Sequence, residues 1–412
     1  MITLIDDDPV VLVMVGLPAR GKTFLARKLA RYLTWLGREA RVFNVGNYRR
    51  ERLGSTQPAS FFDPDNLDGF QSRHQLAVDA LADLVAWLEA GKGRIAIYDA
   101  TNATRERRDM VDRSLCERGL TPIFIETVCN DPAQIEANIR ESKLSMPDYA
   151  GVDPDAAVAD FRARIAHYER AYEPMDEVDR SWIRLVDVGE RVEIHRLRGS
   201  VPTAIVPLLL NQHLMSRPIY LTRHGQSAYN TQHRIGGDSP LTAAGQQFAG
   251  RLASFLGERI EGRPVVWTST LQRTRQTAAP LPWPTRALRN LDEIDGGRFD
   301  GWTYDAIEQN APEDWAARKA DKLRYRYPRG ESYLDVIQRL DPVIVEIERT
   351  RAPLVVVAHQ AVIRCLYAFL TDQPMASVPR LPIPLHTVIE LVPKAYGAVE
   401  TRHELGPQPT AQ

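Results

Sequence analysis

The first half of the chain alternates short β-branched runs with longer stretches of helical pattern. Strands are predicted at residues 10–15, 41–45, 94–98 and 122–128, and helices at residues 24–36, 75–88 and 107–118. This alternation is typical of βαβ units, in which helices cover a parallel sheet. Connections of this kind are right-handed, so ligand sites are expected at the carboxyl ends of the strands.

The pattern changes near residue 184 and restarts near residue 219. Two strand-like runs, 185–188 and 192–197, lead into an apolar helix-like stretch that contains Pro202 and Pro207. Alternation then resumes with strand and helix patterns at residues 219–222, 243–259, 265–268 and 354–358. We therefore predict two α/β domains, residues 1–217 and 218–405, followed by a disordered tail at residues 406–412.

Composition and charge narrow the class of protein. The chain has 412 residues, of which 44% are hydrophobic and 25% charged, which is ordinary globular usage. A net charge of -1 argues against nucleic acid or an anionic membrane as a partner. Cys116, Cys129 and Cys365 lie far apart, so neither a zinc site nor a disulfide framework is expected. With no signal peptide or membrane span in the pattern, a reducing cytoplasm is the expected location.

A phosphate-binding loop is predicted directly after the first strand. Residues 16–23 read Gly-Leu-Pro-Ala-Arg-Gly-Lys-Thr, which matches GxxxxGK[ST], and a helix pattern follows. Backbone N–H groups of such a loop point at phosphates, Lys22 reaches the β and γ phosphates, and Thr23 can ligate Mg²⁺. A chance match is the alternative, but the strand before the loop and the helix after it argue against one.

Other strand ends suggest what accepts the phosphoryl group. Asp99 follows the strand at 94–98 and could hold a metal through water or orient an acceptor hydroxyl. Arginines accumulate after strand ends and on helices. Those within residues 105–108 could alone be a solvated helix start, and any one of the others could reflect genome base composition. Together, Arg49, Arg50, Arg73, Arg164 and the arginines within residues 105–108 indicate a second phosphate on a small acceptor. The predicted class is a kinase of a phosphorylated metabolite.

A second reactive constellation lies in the other half of the chain. The strand at 219–222 ends at Arg223-His224-Gly225, and the strand at 354–358 ends at His359. Histidines at the carboxyl ends of two parallel strands can meet, so that one imidazole attacks phosphorus while Arg223, Arg273 and the other histidine bind the phosphoryl oxygens. Glu293 is the candidate acid for the leaving oxygen. A single histidine is more often a core residue, so the prediction depends on the whole set.

These motifs resemble those of known families. The second half is similar to the histidine phosphatase (phosphoglycerate mutase-like) superfamily, and the whole chain resembles the bifunctional 6-phosphofructo-2-kinase/fructose-2,6-bisphosphatase family. The resemblance spans roughly residues 10–396 and is carried by residues 16–23, 42–51, 99–108, 145–149, 223–225, 234–239, 325–333 and 359–364. It implies a P-loop NTPase-type parallel sheet followed by a doubly wound domain of the histidine phosphatase type.

The resemblance also implies roles in the first domain. ATP is the phosphoryl donor, Mg²⁺ accompanies it, and Thr23 and Asp99 are the metal-side residues. The ATP contacts would be Gly16, Leu17, Pro18, Ala19, Arg20, Gly21, Lys22, Thr23, Phe24, Asn138 and Lys143. The fructose 6-phosphate contacts would be Arg49, Arg73, Thr101, Arg107, Lys143, Arg164 and Tyr168. Lys22, Asp99 and Cys129 match catalytic positions, although direct transfer needs no covalent enzyme and Cys129 could equally serve packing.

In the second domain the resemblance makes His224 the phosphohistidine and Glu293 the acid. Arg223, Arg273 and His359 complete the catalytic set. The remaining fructose 2,6-bisphosphate contacts would be Asn230, Gly236, Tyr304, Arg318, Lys322, Tyr333, Gln360 and Arg364. The family usually supplies one further arginine where this chain has Ala398-Val399-Glu400, so weaker binding of the bisphosphate is expected.

The expected function is therefore synthesis and hydrolysis of fructose 2,6-bisphosphate at two separate sites. Two alternatives stay open: a kinase and phosphatase pair for another phosphorylated sugar, and a nucleotide-sensing protein with inactive sites. The family's dimerisation implies a homodimer formed through the N-terminal domains. Small molecules are the expected partners, without nucleic acid or membrane.

Overall fold

The computed structural model describes residues 9–91, 94–142, 147–149, 151–211, 217–394 and 397–407. The chain divides into two compact units, Met1–Leu214 and Met215–Gln412. Each unit is a sheet with helices, which confirms the predicted α/β class. The predicted domain boundary, after residue 217, falls a few residues inside the second unit. Within the described part of the chain, no helix is both long and apolar enough to cross a membrane.

The first unit is built on a six-stranded sheet of order β2-β3-β1-β4-β5-β6. Its strands are β1 (Val10–Val15), β2 (Ala40–Asn44), β3 (Ile95–Asp99), β4 (Thr121–Val128), β5 (Ser181–Val186) and β6 (Arg191–His195). Its helices are α1 (Lys22–Trp35), α2 (Val45–Leu53), α3 (Leu67–Glu89), α4 (Arg105–Cys116), α5 (Pro132–Ser142), α6 (Pro154–Arg170) and α7 (Ser200–Leu210). All neighbouring strands are parallel except β5 and β6.

Capping side chains explain where two of these elements differ from the predicted bounds. The strand predicted to reach residue 45 ends at Asn44, whose side chain accepts a hydrogen bond from the Asn47 N–H and starts α2. The helix predicted from residue 75 begins at Leu67, because the Asn66 side chain caps it by accepting from the Gly69 N–H. Both elements are therefore bounded by a side-chain cap and not by the limits of the apolar pattern.

The second unit contains another six-stranded sheet, of order β12-β11-β7-β10-β8-β9. Its strands are β7 (Ile219–Arg223), β8 (Val265–Thr268), β9 (Thr285–Ala287), β10 (Leu354–Ala358), β11 (Thr387–Lys394) and β12 (Gly397–Glu404). Its helices are α8 (Ala228–Thr231), α9 (Ala243–Arg259), α10 (Gln272–Ala278), α11 (Tyr304–Asn310), α12 (Pro312–Ala320), α13 (Tyr333–Arg339), α14 (Asp341–Arg349) and α15 (Gln360–Leu370). β11 is antiparallel to both its neighbours.

Burial of both faces of the central strands explains their apolar sequences. Every residue of β7 and β10 is buried, as is every residue of β3. Of the predicted tail, residues 408–412 lie outside the described residues. The Pro407 carbonyl lies 3.0 Å from Nδ1 of His386, so the chain still contacts the second unit at that point.

Candidate active sites

The glycine-rich loop begins directly after β1 at Gly16, where the backbone lies so close to β4 that only a glycine fits. Gly16 has φ +130°, and a Cβ added there would lie 2.5 Å from the Thr127 carbonyl oxygen. The Gly16 N–H donates to the Thr101 carbonyl at 2.9 Å. The loop therefore passes between the ends of β3 and β4, where phosphates bind in open α/β sheets.

The rest of the loop turns around the Lys22 ammonium group. Ala19 and Gly21 both have left-handed φ values, and α1 begins at Lys22. Nζ of Lys22 donates to the Leu17 carbonyl at 2.6 Å, and the residue is only 8% exposed. Nδ2 of Asn138 donates to the Ala19 carbonyl at 2.9 Å, which holds α5 against the loop. This arrangement presents an ammonium group and a helix N-terminus to an anion.

The remaining predicted nucleotide residues border the loop. The Arg20 guanidinium donates to the Pro18 carbonyl and to Glu169, and burial lowers its pKa. Thr23 and Phe24 lie in the first turn of α1 and are half-buried. Lys143, predicted to contact both substrates, lies outside the described residues.

Asp99 ends β3 as a buried carboxylate. It is 2% exposed, and its Oδ2 accepts a hydrogen bond from the Asn44 amide, its register partner on β2. Two neighbouring polar atoms are buried without a hydrogen-bond partner: Oδ1 of Asn102 and Oγ1 of Thr127. Buried polar atoms normally have partners, so unpaired ones at a strand end indicate a place where ligand or water binds.

An arginine cluster surrounds the Asp148 carboxylate in the first unit. Asp148 accepts from Arg49 and, at 3.1 Å, from Arg50, and its Oδ1 lies 3.8 Å from Nη1 of Arg164. The Phe62 ring lies under both Arg49 and Arg164, with 5.5 and 4.8 Å from guanidinium carbon to ring centroid. Nη1 of Arg49 is buried without a partner, so this donor remains available to an anion.

The other residues predicted to bind the sugar phosphate surround Tyr168. Its ring centroid lies 6.0 Å from that of Phe62. Burial raises the Tyr168 pKa, while Arg73, a hydrogen bond from Thr101, Arg49 and Arg107 lower it. Burial also lowers the pKa of Arg73, and nearby Arg107 lowers it further. The structure thus brings together every described residue predicted to bind fructose 6-phosphate.

Cys129 lies just beyond β4 and is 6% exposed. Burial raises the pKa of its thiol, and this effect exceeds the opposing influence of the Arg20 charge. The thiol is therefore protonated at neutral pH, and a thiol is a poor nucleophile compared with a thiolate. This environment favours packing over covalent chemistry.

The second site forms where β7 and β10 end side by side. Arg223 pairs with Ala358 in the parallel register, and the His224 N–H donates to the Ala358 carbonyl at 3.0 Å. The His224 and His359 rings consequently meet, with centroids 5.1 Å apart. Burial, together with the charges of Arg273 and Arg223, holds the pKa of His224 well below its usual value.

The hydrogen bonds of the two histidines orient their rings. Nδ1 of His224 lies 2.7 Å from the Gly225 carbonyl, so it carries the proton and leaves the lone pair on Nε2. Nε2 of His359 lies 2.8 Å from Oγ of Ser269, whereas its Nδ1 is buried without a partner. Burial and Arg273 hold the pKa of His359 well below its usual value, so both rings are neutral.

Two buried arginines flank these rings. Arg223 donates from Nη1 to the Ile383 carbonyl at 3.1 Å, and its Nε has no partner. Burial lowers the pKa of Arg223 to about 10, which still leaves it charged at neutral pH. Arg273 is 3% exposed and donates from Nη1 to the Gly237 carbonyl at 2.6 Å. The two guanidinium groups concentrate positive charge around a neutral imidazole.

Burial lowers the pKa values of both arginines, and the nearby charge of Glu293 partly offsets this effect. Oε1 of Glu293 accepts from the backbone N–H groups of Ile294 at 2.9 Å and Ala361 at 3.2 Å. Arg339 donates to the carbonyls of Asp292 and Glu293 and so fixes the backbone that carries this carboxyl group.

The predicted sugar contacts form a basic and phenolic group. Arg364 donates to the Tyr333 hydroxyl at 3.0 Å, and Arg318 donates to the Tyr304 hydroxyl at 2.9 Å. Burial, followed by the charges of Arg318, Arg364 and Arg380, lowers the pKa of Lys322 to about 8. Gln360 begins α15 directly after His359, which joins this group to the histidine pair.

Gly236 and Asn230 have mainly structural contacts. Gly236 has φ +68°, and a Cβ there would lie 1.6 Å from Oδ1 of Asp300. Oδ1 of Asn230 accepts from the Ser227 N–H at 2.9 Å and completes a capping box with Ser227, the N-cap residue of α8. Neither contact prevents a ligand from binding nearby.

Several residues at these sites were not singled out from the sequence. Asn44, Phe62 and Asp148 complete the first site, and Ser269 and Arg339 complete the second. Asp148 lies within a segment that carries the family resemblance, but its arginine partners become visible only in the fold. Among the described residues, no group of three or more His, Cys, Asp or Glu side chains is arranged to hold a metal ion.

Comparisons with known proteins cover both units. A family model described as 6-phosphofructo-2-kinase matches residues 1–216, and one described as histidine phosphatase superfamily (branch 1) matches residues 219–404. A 6-phosphofructo-2-kinase/fructose-2,6-bisphosphatase of Arabidopsis thaliana is 48% identical over 97% of this chain and 54% of its own length. A protein of the same name from Gallus gallus is 47% identical over 94% of this chain and 83% of its own length. This chain thus spans about half of the plant protein and most of the avian one.

Proposed function

This chain belongs to the 6-phosphofructo-2-kinase/fructose-2,6-bisphosphatase family, and we propose that it synthesises fructose 2,6-bisphosphate in its first unit and hydrolyses it in its second. One observation carries the proposal: each unit buries an arginine N–H without a protein acceptor, Nη1 of Arg49 and Nε of Arg223. Leaving a buried donor unpaired costs about 1–3 kcal/mol, so these donors favour anionic ligands.

In the first unit, catalysis consists of positioning and charge stabilisation, because phosphoryl transfer between bound substrates needs no covalent enzyme. The loop at residues 16–23 would hold the phosphates of ATP, with Lys22 exchanging the Leu17 carbonyl for phosphate oxygens. Phe24, Asn138 and Lys143 would contact the rest of the nucleotide. Asp99 would orient the acceptor hydroxyl toward the γ-phosphorus.

Mg²⁺ fits the donor set at this position. Thr23 offers a hydroxyl and Asp99 a buried carboxylate, and hard oxygen ligands of this kind are those that Mg²⁺ prefers. When bound, the ion would neutralise charge on the transferring phosphoryl group.

The arginine cluster would receive the acceptor. Arg49 and Arg164, both 8% exposed or less, would bind the 6-phosphate, with Arg73 and Arg107 adding charge nearby. Thr101 and Tyr168 would contact sugar hydroxyls. Synthesis then moves the γ-phosphoryl group to O2 of the sugar and releases ADP, and the hydroxyl proton leaves toward Asp99.

In the second unit, Nε2 of His224 would attack the 2-phosphorus. A P–N bond forms as the bond from phosphorus to O2 breaks, and the departing O2 takes a proton from Glu293. Water then attacks the phosphohistidine, Glu293 recovers a proton from that water, and phosphate leaves. Arg223, Arg273 and His359 would bind the phosphoryl oxygens in both steps.

The 6-phosphate and the sugar ring of the bisphosphate would bind to the basic and phenolic side chains described above. Arg318, Lys322 and Arg364 would bind the phosphate, and the two tyrosines would contact sugar oxygens. The sugar would extend from these 6-phosphate contacts to the histidine pair. Asn230, Gly236 and Gln360 would contact it between the two. The lowered pKa of Lys322 is expected for an ammonium group that lies near other cations in a site that binds an anion.

Incubation with γ-labelled ATP and fructose 6-phosphate tests the synthetic half. We expect an acid-labile sugar bisphosphate, whereas its absence would overturn the kinase assignment. A panel of other sugar and polyol phosphates tests the alternative of a different substrate. ATP binding without turnover of any of them would indicate inactive sites.

We also propose that the chain forms a homodimer and that it is located in the cytoplasm. A homodimer formed through the first unit is supported by membership of the family, and sedimentation of the purified chain tests it. All three cysteines are free thiols. Free thiols are compatible with the reducing cytoplasm, which fractionation of cells would test.

A further inference from the structure

Ser269 follows β8 and is completely buried beside the histidine pair. Its Oγ lies 2.8 Å from Nε2 of His359 and 2.7 Å from Oγ1 of Thr274, and it accepts the Leu271 N–H at 3.1 Å. The hydroxyl therefore has one proton and two possible acceptors, one of which belongs to a residue of the phosphoryl site.

Two proton arrangements satisfy these contacts. In the first, Ser269 donates to Thr274, Thr274 donates to the Leu271 carbonyl at 2.8 Å, and Nε2–H of His359 donates to Ser269. In the second, Ser269 donates to Nε2, Thr274 donates to Ser269, and the proton of the neutral His359 ring lies on Nδ1. The arrangements differ in what Nδ1 presents to the site: a lone pair in the first and an N–H donor in the second.

A bound phosphoryl group favours one of the two arrangements. Its oxygens are hydrogen-bond acceptors, so the neutral ring must present an N–H to them. Nδ1 of His359 is buried and has no protein partner, and the ring lies 5.1 Å from that of His224, centroid to centroid. A lone pair on Nδ1 would repel a phosphoryl oxygen at this position, whereas an N–H would bind it.

We infer that Ser269 is a positioning residue that donates its proton to Nε2 of His359 and so holds Nδ1–H toward the phosphoryl group, with Thr274 as the competing acceptor. The inference rests on the proposed phosphatase function. It assigns the two hydroxyls opposite effects. Ser269 stabilises the Nδ1–H tautomer of His359. Thr274 can accept the Ser269 proton and so allows the Nε2–H tautomer.

Two substitutions separate this role from simple packing. Ser269→Ala removes the donor, so Nε2 loses its partner and the Nδ1–H tautomer loses its support. Thr274→Val keeps the side-chain shape and removes the competing acceptor, so the Ser269 proton is directed to Nε2. The Leu271 carbonyl still accepts from the N–H groups of Thr274 and Arg275. Thr268→Val is the matched control, because the Thr268 hydroxyl is buried on β8 without a partner.

Long-range proton–nitrogen spectra of the full chain with ¹⁵N-labelled histidine report the tautomer directly, and the His359 signals are identified by their loss in His359→Gln. We expect Nδ1–H in Thr274→Val with or without orthovanadate. In wild type and in Thr268→Val we expect this tautomer once vanadate is bound. Ser269→Ala should show a larger Nε2–H fraction and bind vanadate about tenfold more weakly, as expected for one lost hydrogen bond.

Two results would overturn the inference: the same His359 tautomer in Ser269→Ala and Thr274→Val, or equally weakened vanadate binding in both. Failure of the proposed function looks different. Wild type would then bind no vanadate and form no phosphohistidine, while the tautomers of the free variants would still test the hydroxyl pair.

Discussion

The rings of His224 and His359 lie 5.1 Å apart because the parallel register of β7 and β10 pairs Arg223 with Ala358. Each histidine is the first residue after its strand, so the spacing is set by the sheet and not by a flexible loop. Burial keeps both rings neutral, which leaves a lone pair on Nε2 of His224. A rigid and neutral histidine between two arginines is suited to accept a phosphoryl group.

The binding of the bisphosphate should depend on pH through the protonation state of Lys322. Its pKa is lowered to about 8, so the ammonium group is charged below pH 8 and neutral above it. Because a neutral amine binds phosphate weakly, we expect the KM for hydrolysis of fructose 2,6-bisphosphate to rise between about pH 8 and pH 9. Steady-state kinetics across this range measure the effect.

Lys322→Arg should remove that rise, because a guanidinium stays charged throughout the range. Lys319→Arg, on the neighbouring helix α12, is the control and should keep the wild-type profile. A rise of the same size in Lys322→Arg would contradict the assignment.

Arg49 and Arg50 are adjacent and both pair with Asp148, but only Arg49 has a buried N–H without a partner. We expect Arg49→Lys to raise the KM for fructose 6-phosphate about tenfold or more, because a lysine cannot reproduce the planar guanidinium fork. The KM for ATP should change little. Initial rates of synthesis at varied concentrations of each substrate measure both values.

Arg50→Lys provides the comparison, since it alters the same ion-pair cluster without removing the unpaired donor. Equal changes in the two variants would show that the cluster acts only as a structural unit.

Cys129 should be dispensable for phosphoryl transfer. Its thiol is held protonated by a raised pKa, so we expect Cys129→Ala to retain kcat for synthesis within about threefold. Thermal unfolding of the variant reports any loss of packing, and Cys116→Ala serves as an exposed control. A fall in kcat of about a hundredfold without a change in Tm would instead indicate a chemical role.

Strand ends were the most predictable part of this protein. Residues 16–23, Asp99, Arg223 and His359 follow apolar runs whose length and composition indicate buried strands, and the sheets confirm that placement. Helix starts were less predictable, because α3 begins where Asn66 caps it and not where its apolar pattern begins. The antiparallel β11 and β12 also escaped prediction, since their sequence lacks a short turn signal between two clear strands.

Partners of the site residues depend on packing between distant segments. Asp148 reaches Arg49 only when a short turn and α2 lie together, and Ser269 reaches His359 only because β8 and β10 are neighbours. A single serine or aspartate in a polar segment carries no signal of such a contact. The residues proposed to perform chemistry were visible in the sequence, whereas the residues that contact and orient them were not.

The most direct test measures synthesis and hydrolysis on the same preparations of wild type, Lys22→Ala and His224→Ala. We expect Lys22→Ala to lose at least ~100-fold of its synthetic rate and to keep hydrolysis, because the ammonium group acts only on ATP phosphates. His224→Ala should keep synthesis, lose hydrolysis and yield no phosphohistidine when turnover is quenched and analysed by mass spectrometry. Loss of both activities in either variant, with the fold intact, would contradict two separate phosphoryl sites.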